Sequence, residues 1–175
     1  MKKIIFSFYC LAMMLMACNN NSETKTSTSS GSTIKMPYEP GYSADFNNNV
    51  SDSLVLLVLN SYKHWEAADM KALRSTMGDS MVVDGSDGFK FSGLADSLMP
   101  RWQGSRDSMS SVVITMDAWV KSHSLKDSVD YVTVWYKEID TYKSGRVDSA
   151  NYADVNGLMK GKITWFSSYR QNLKQ

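Results

Sequence analysis

From Tyr62 to Gly93 the chain reads YKHWEAADMKALRSTMGDSMVVDGSDGFKFSG, and its apolar spacing passes from helical to strand-like within that stretch. The small pair Ala67-Ala68 interrupts a first helix. Asp69 then stands where a carboxylate can accept from the free N–H groups of a second helix. That helix is expected over Met70–Met77, with Met70, Leu73 and Met77 on one side and Gly78-Asp79 ending it. Met81-Val82-Val83 predicts a strand, Gly85-Ser86-Asp87-Gly88 a turn, and Phe89–Ser92 a second strand. A chain that breaks, caps and turns in this order is committed to a mixed α and β fold.

The flanks extend the pattern. Ser51 or Asp52 can cap a first helix that runs through Leu54-Val55-Leu56-Leu57-Val58-Leu59 to Trp65. Its β-branched content also suits a strand, but the length of the run to Ala68 favours helix. An unbroken apolar run predicts that it is covered on more than one side. Leu94–Arg106 reads as a third helix, kinked at Pro100, which has no N–H to give. Four long strands follow over Val112–His123, Val129–Asp140, Val147–Val155 and Lys162–Gln171, with Asn156-Gly157 through Gly161 as the last turn. Both faces of the middle strands carry large apolar groups. One face would cover the helices, and the other predicts a homodimer through the sheet face.

This order of elements resembles the nuclear transport factor 2-like superfamily, and within it the SnoaL-like branch. The resemblance spans Ser51–Gln171 and includes the final-strand pattern Gly161-Lys162-Ile163 followed by Tyr169. It implies an α+β fold: three N-terminal helices packed in the concave face of a curved, mostly antiparallel sheet of about six strands, a cone-shaped, cystatin-like roll. It also implies a pocket inside the cone for a small, largely apolar ligand or a partner protein. The alternative it leaves open is an enzyme of isomerase, polyketide cyclase or hydrolase type.

Candidate site residues follow from that picture. Tyr62, Trp65, Trp102, Trp119, Trp135 and Trp165 are the aromatic groups that either fill a core or line a ligand cavity, and an indole N–H wants a partner in either place. Asp84 ends the first strand of the hairpin, where isomerases of the superfamily carry a general base; apolar walls would raise its pKa toward working range. The rival reading makes Asp84 part of the turn with Gly85, Asp87 and Gly88. Tyr62 could act as an oxyanion donor, although it lies one residue from the tyrosine of the isomerases. Asp117 and Arg146 do not complete the hydrolase arrangement of two aspartates flanking an arginine. His64 and His123 do not match the Asp/His pair of the cyclases. His64 with Glu66 and Asp69 could in principle hold a metal, but the expectation is no metal and no cofactor.

The beginning of the chain has a different character. Met1-Lys2-Lys3 is basic, and Ile4–Ala17 is an apolar run shorter than the ~20 residues a spanning helix needs. It ends in Leu15-Met16-Ala17-Cys18, which resembles the lipobox of bacterial lipoproteins. That resemblance implies a signal peptide over 1–17 and acyl chains such as palmitate on Cys18. It leaves a flexible tether over 18–50 and a folded domain over 51–175, lipid-anchored at the outer membrane. An ordinary secretory signal cut near Ala17 is the alternative. Asn19–Thr33 has no residue able to seed a core, and Ile34–Asn49 either lies against the domain or stays loose. Cys10 and Cys18 are the only cysteines, so the domain itself contains none and disulfide, thiolate-metal and cysteine-nucleophile chemistry are excluded. With 19 Lys and Arg against 18 Asp and Glu and no basic block, nucleic acid is not an expected partner. A tripeptide Asp-Ser-apolar begins at Asp52, Asp79, Asp96, Asp107, Asp127 and Asp148. It resembles an O-glycosylation motif of exported bacterial proteins, and caps and turns would place the same residues together.

Overall fold

The computed structural model describes residues 37–173. The signal segment, Cys18 and most of the proposed tether therefore lie outside the described residues. A compact unit begins at Pro40.

Its first element is a short strand, β1 (Phe46–Asn47), paired with the end of a much longer strand. The chain before Ser51 is thus part of the folded unit, with Val50 buried, rather than a tether up to residue 50. Helix α1 (Asp52–Glu66) follows an extended Ser51 whose side chain makes no capping bond to the helix. Val55, Val58, Ser61 and Tyr62 form its buried stripe, one face at helical spacing. Leu56 is exposed, so the apolar run is covered on one side and its flanks but not all round.

Ala68 takes a left-handed conformation (φ 56°) that lets the chain double back, and a side chain there costs roughly 1–2 kcal/mol. Asp69 then caps α2 (Met70–Ser75), its carboxylate accepting from Ala72 N–H at 2.9 Å. The helix stops two residues earlier than its apolar spacing suggests. Met77 opens strand β2 (Met77–Asp84), and Gly78 lies inside it, where a Cβ would meet the Thr164 methyl at 2.9 Å. The sequence could not show this, because β2 is extended by parallel pairing with the last strand of the chain, with a register shift between Met77 and Val82. The turn at Gly85–Gly88 forms as expected, with Gly88 at φ 83°, and leads into β3 (Lys90–Leu94).

Helix α3 (Ala95–Asp107) carries Pro100 within it. Near its end, the buried Arg106 donates to the carbonyls of Trp65 and Glu66, each at 2.9 Å, and so closes the C-terminus of α1. Four long strands complete the unit: β4 (Met109–Ser124), β5 (Asp130–Tyr142), β6 (Val147–Met159) and β7 (Lys162–Asn172). Asn156-Gly157 is not a turn but part of β6; the reversal is made by Lys160 and Gly161, both at positive φ.

The sheet has seven strands rather than six, in the order β1-β4-β5-β6-β7-β2-β3, antiparallel except where β2 meets β7. The helices are not all N-terminal to the sheet, since β1 precedes α1 and the β2–β3 hairpin precedes α3. They pack against one face of the curved sheet. Val55, Val58 and Tyr62 of α1 share a core with Val132, Val134 and Tyr136 of β5 and Leu158 of β6. Among the described residues no helix is long and apolar enough to cross a membrane.

Candidate functional site

Alternation along β5 and β6 decides what the helices cover. Val132, Val134, Tyr136 and Glu138 face inward from β5, and Tyr152, Asp154, Asn156 and Leu158 from β6. Between these strands, α1, α2 and α3 lies a cavity of about 210 Å³. Its walls are Trp65, Leu73, Met77, Met81, Trp102, Ile163 and Phe166, and its polar floor is Tyr62, Tyr136, Glu138, Tyr152, Asp154 and Asn156.

The floor is a connected set of hydrogen bonds. Tyr62 and Tyr136 both donate to Asp154 Oδ2, at 2.9 and 2.8 Å. Asn156 Nδ2 donates to the Tyr62 oxygen at 3.3 Å and to the Val132 carbonyl at 3.2 Å. The rings hold the phenols in place: Tyr62 meets Tyr136 edge-on at 5.1 Å, and Tyr136 stacks on Tyr152 at 5.2 Å. Asp154 Oδ1 is buried without a hydrogen-bond partner among the described residues. The hydroxyl of Ser168, opposite Asp154 on β7, favours the carboxylate without reaching good bonding geometry.

Burial sets the protonation of this floor. It pushes the Asp154 carboxyl up to about 6, against the opposing pull of Ser168, Tyr136 and Tyr62. Glu138 is pushed up to about 8, first by burial and then by the charge of Asp140 beside it. The phenols of Tyr62 and Tyr136 are driven well above their usual value, again by burial first and then by Asp154. At neutral pH the floor therefore contains an ionised Asp154, a largely protonated Glu138 and neutral phenols. Such a set can hold a polar group and exchange a proton with it.

The structure brings Tyr62, Trp65 and Trp102 of the expected residues to the cavity. Trp119 and Trp135 do not reach it. Trp119 is 54% exposed opposite Val134, past a bulge in β4, and Trp135 is 41% exposed on the outer face opposite Ala118. Trp165 lies on the outer face too, against Tyr131 and Tyr42. Asp84 does not line the cavity; it ends β2 with its carboxylate 3.2 Å from the Lys90 ammonium at the surface. The general-base role expected of Asp84 has no geometric support, because the inward positions of β2 are Met77, Met81 and Val83. Sequence reasoning missed Glu138, Asp154 and Asn156. The available signal was polarity at core-facing positions: Asp154 and Asn156 continue the alternation of Ala150 and Tyr152, and Glu138 that of Val134 and Tyr136.

Other chemistry lies apart from this cavity. His123 pairs with Asp130 at 2.7 Å near the rim of the sheet, and Asp117 is exposed at the β4 bulge. Among the described residues no group of three or more His, Cys, Asp or Glu is arranged to hold a metal. Five of the six Asp-Ser copies expose their serine, and only Ser149 is partly buried.

No family model and no curated protein matches the chain. Solved structures do. A ketosteroid isomerase-like protein from Erwinia carotovora atroseptica aligns with a TM-score of 0.58 at 14% identity, covering 73% of this chain and 100% of that one. An LEH-like epoxide hydrolase from M. tuberculosis aligns with a TM-score of 0.58 at 10% identity, covering 69% and 84%. An NTF2-like protein of unknown function from Exiguobacterium sp. aligns with a TM-score of 0.54 at 16% identity, covering 67% and 99%. The chain has the NTF2-like fold. Identities this low define the fold alone, and function must be argued from the cavity.

Proposed function

We propose that this protein binds a small, largely apolar molecule inside the cone, with one polar end of the ligand on the Tyr62–Asp154–Tyr136 floor. The observation that carries the reading is an apolar chamber of about 210 Å³ ending in a buried carboxylate with one oxygen unpartnered. Apolar cavities of roughly 150 Å³ already admit a benzene-sized molecule, so a ligand of about one ring fits. Ser61 lines the chamber from α1, and Ser61→Leu adds bulk there. Titration of wild type with cyclohexylmethanol and related one-ring molecules, followed by tryptophan fluorescence, should saturate, and Ser61→Leu should weaken binding at least tenfold. Equal binding by a folded Ser61→Leu would place the ligand elsewhere.

A second, catalytic reading is favoured by one specific feature. Two carboxyls in one cavity have ionisations pushed to about 6 and about 8, the separation an acid and a base need. Proton transfer of isomerase, cyclase or hydrolase type would then use Asp154 and Glu138 in the role first assigned to Asp84. Similarity in fold to proteins described as ketosteroid isomerase-like and epoxide hydrolase-like agrees with this reading. Exchange of the α-protons of cyclohexanone in D2O, read by NMR, should run faster with wild type than with Glu138→Gln. Exchange no faster than in buffer alone removes the reading.

The same proposal places the domain at a membrane. Cys18 carries the lipid, and the domain hangs on a tether at the outer membrane, the reading supported by the Leu15–Cys18 pattern. Cys18→Ser should move the protein from the detergent phase to the aqueous phase. Unchanged partitioning would reject the anchor.

A further inference from the structure

The charge of the cavity is one-sided. Among the described residues its lining includes Glu138, Asp154 and three phenols but no lysine, arginine or histidine, and six aromatic rings surround the space. A buried carboxylate normally has a cation or a full set of hydrogen-bond donors. Asp154 has two phenols on one oxygen, and the other has no hydrogen-bond partner among the described residues, the Ser168 hydroxyl favouring the carboxylate without bonding it. The nearest arginines are engaged elsewhere. Arg106 donates to the carbonyls of Trp65, Glu66 and Met109, and Arg170 to Tyr152 at 3.0 Å and Asp148 at 2.8 Å. Around Glu138 stand Asp140 from its own strand, Asp154 and Tyr152 from β6, and Trp65 from α1. Arg106 and Arg170 act on Asp140, and Arg170 on Tyr152.

We propose that the natural ligand is a cationic one, an apolar amine of about one ring. Its ammonium sits by Asp154 and Glu138, among the aromatic side chains of the lining, Trp65 and Trp102 included. The inference rests on the binding reading above and adds the charge of the ligand to it. An ammonium supplies what the floor lacks. It donates to the unpartnered Asp154 oxygen, and the negative ring faces attract it as they attract other desolvated cations. It also favours the ionised form of Glu138, so that binding releases a proton. An anionic ligand of the same shape would meet Asp154 with no compensating cation.

The test uses three isosteres that differ only in the polar end: cyclohexylmethylamine, cyclohexylmethanol and cyclohexanecarboxylate, titrated into the full domain at about pH 7.5 by calorimetry. The amine should bind at least tenfold more tightly than the alcohol, and the carboxylate should not bind. Glu138→Gln and Asp154→Asn, each confirmed as folded by circular dichroism, should shrink the preference for the amine by about tenfold. Tighter binding of the alcohol, or a preference for the amine that survives both substitutions, overturns the inference while the binding reading stands. Failure of all three molecules to bind overturns both.

Discussion

The two faces of the same strands reverse the usual distribution of polar and apolar groups. Under the helices, the sheet buries Asp154 completely and Asn156 to 2% exposure, while on the opposite face Trp135 is 41% and Tyr169 65% exposed. Adjacent residues of β5, Trp135 and Tyr136, fall on either side of this division. Soluble proteins ordinarily do the opposite, and each reversal needs a reason. Inside, polarity survives because the Asp154 carboxylate, two phenols and Asn156 satisfy most of one another's hydrogen bonds, leaving one oxygen for something else. Outside, Tyr42, Phe46 and Trp165 cover Tyr131, but Trp135 and Tyr169 are left exposed among the described residues. We propose that a second copy covers them, which makes the outer face an assembly surface and the inner face a chemical one.

The largest effect expected from breaking this contrast is on stability. Asp154→Ala leaves two buried phenols without an acceptor, which should cost roughly 3 kcal/mol in urea unfolding. Trp135→Ala, a far larger change in side-chain size, should cost under about 1 kcal/mol at low protein concentration, where no second copy covers the exposed ring. Sedimentation of Trp135→Lys at higher concentration should show a loss of dimer. If Trp135→Ala proves as costly as Asp154→Ala in a monomer, the inner network is not what distinguishes the faces.

A smaller effect, with a definite sign, should appear in the dependence of stability on pH. Burial raises Asp154 to about 6 and Glu138 to about 8, both above the values of an unfolded chain. Each group binds its proton more tightly when folded, so its contribution to stability is complete below the unfolded value. That contribution is lost as pH rises through the folded one. The melting temperature should therefore fall from about pH 5 to about pH 8.5, in two overlapping steps. Glu138→Gln should remove the upper step and leave the lower. A profile flat over this range would mean that the floor is better hydrated than its geometry implies.

Much of this fold was legible in local patterns. The Asp69 cap, the Gly85–Gly88 turn and the long alternating strands follow from residues close in sequence. The misplaced features are those that distant partners decide. Met77 and Gly78 join a strand because β7 lies beside them, and Phe46 pairs with β4 across most of the domain's length. Asn156-Gly157 has the composition of a turn, but continued pairing with both β5 and β7 keeps it extended. The site was legible only in part. By residue type all five tryptophans are cavity candidates, yet only Trp65 and Trp102 reach it, both on helices; Trp135 and Trp165 face outward by strand parity, and Trp119, in register with the inward Val134, stays exposed away from the cavity. The acids could have been found by asking which polar residues interrupt an inward-facing alternation. Asp84 matches a general base only by its place at a strand end, where turn chemistry accounts for it.

Asp84 therefore offers the finest test of the contrast, and the smallest expected effect. It is an aspartate on a strand of the same sheet as Asp154, but its side chain is 40% exposed and its partner is the 83% exposed Lys90, 3.2 Å away. Exposed pairs of this kind contribute at most about 1 kcal/mol and are screened by salt. Asp84→Asn should change unfolding by a few tenths of a kcal/mol, with the difference vanishing in about 0.5 M salt. It should leave ligand titration in the cavity unaltered, whereas Asp154→Asn should change both the affinity and its pH dependence. A loss of binding in Asp84→Asn equal to that in Asp154→Asn would return the site to the hairpin. It would mean that an aspartate 3.2 Å from a lysine, outside the chamber, governs what enters it.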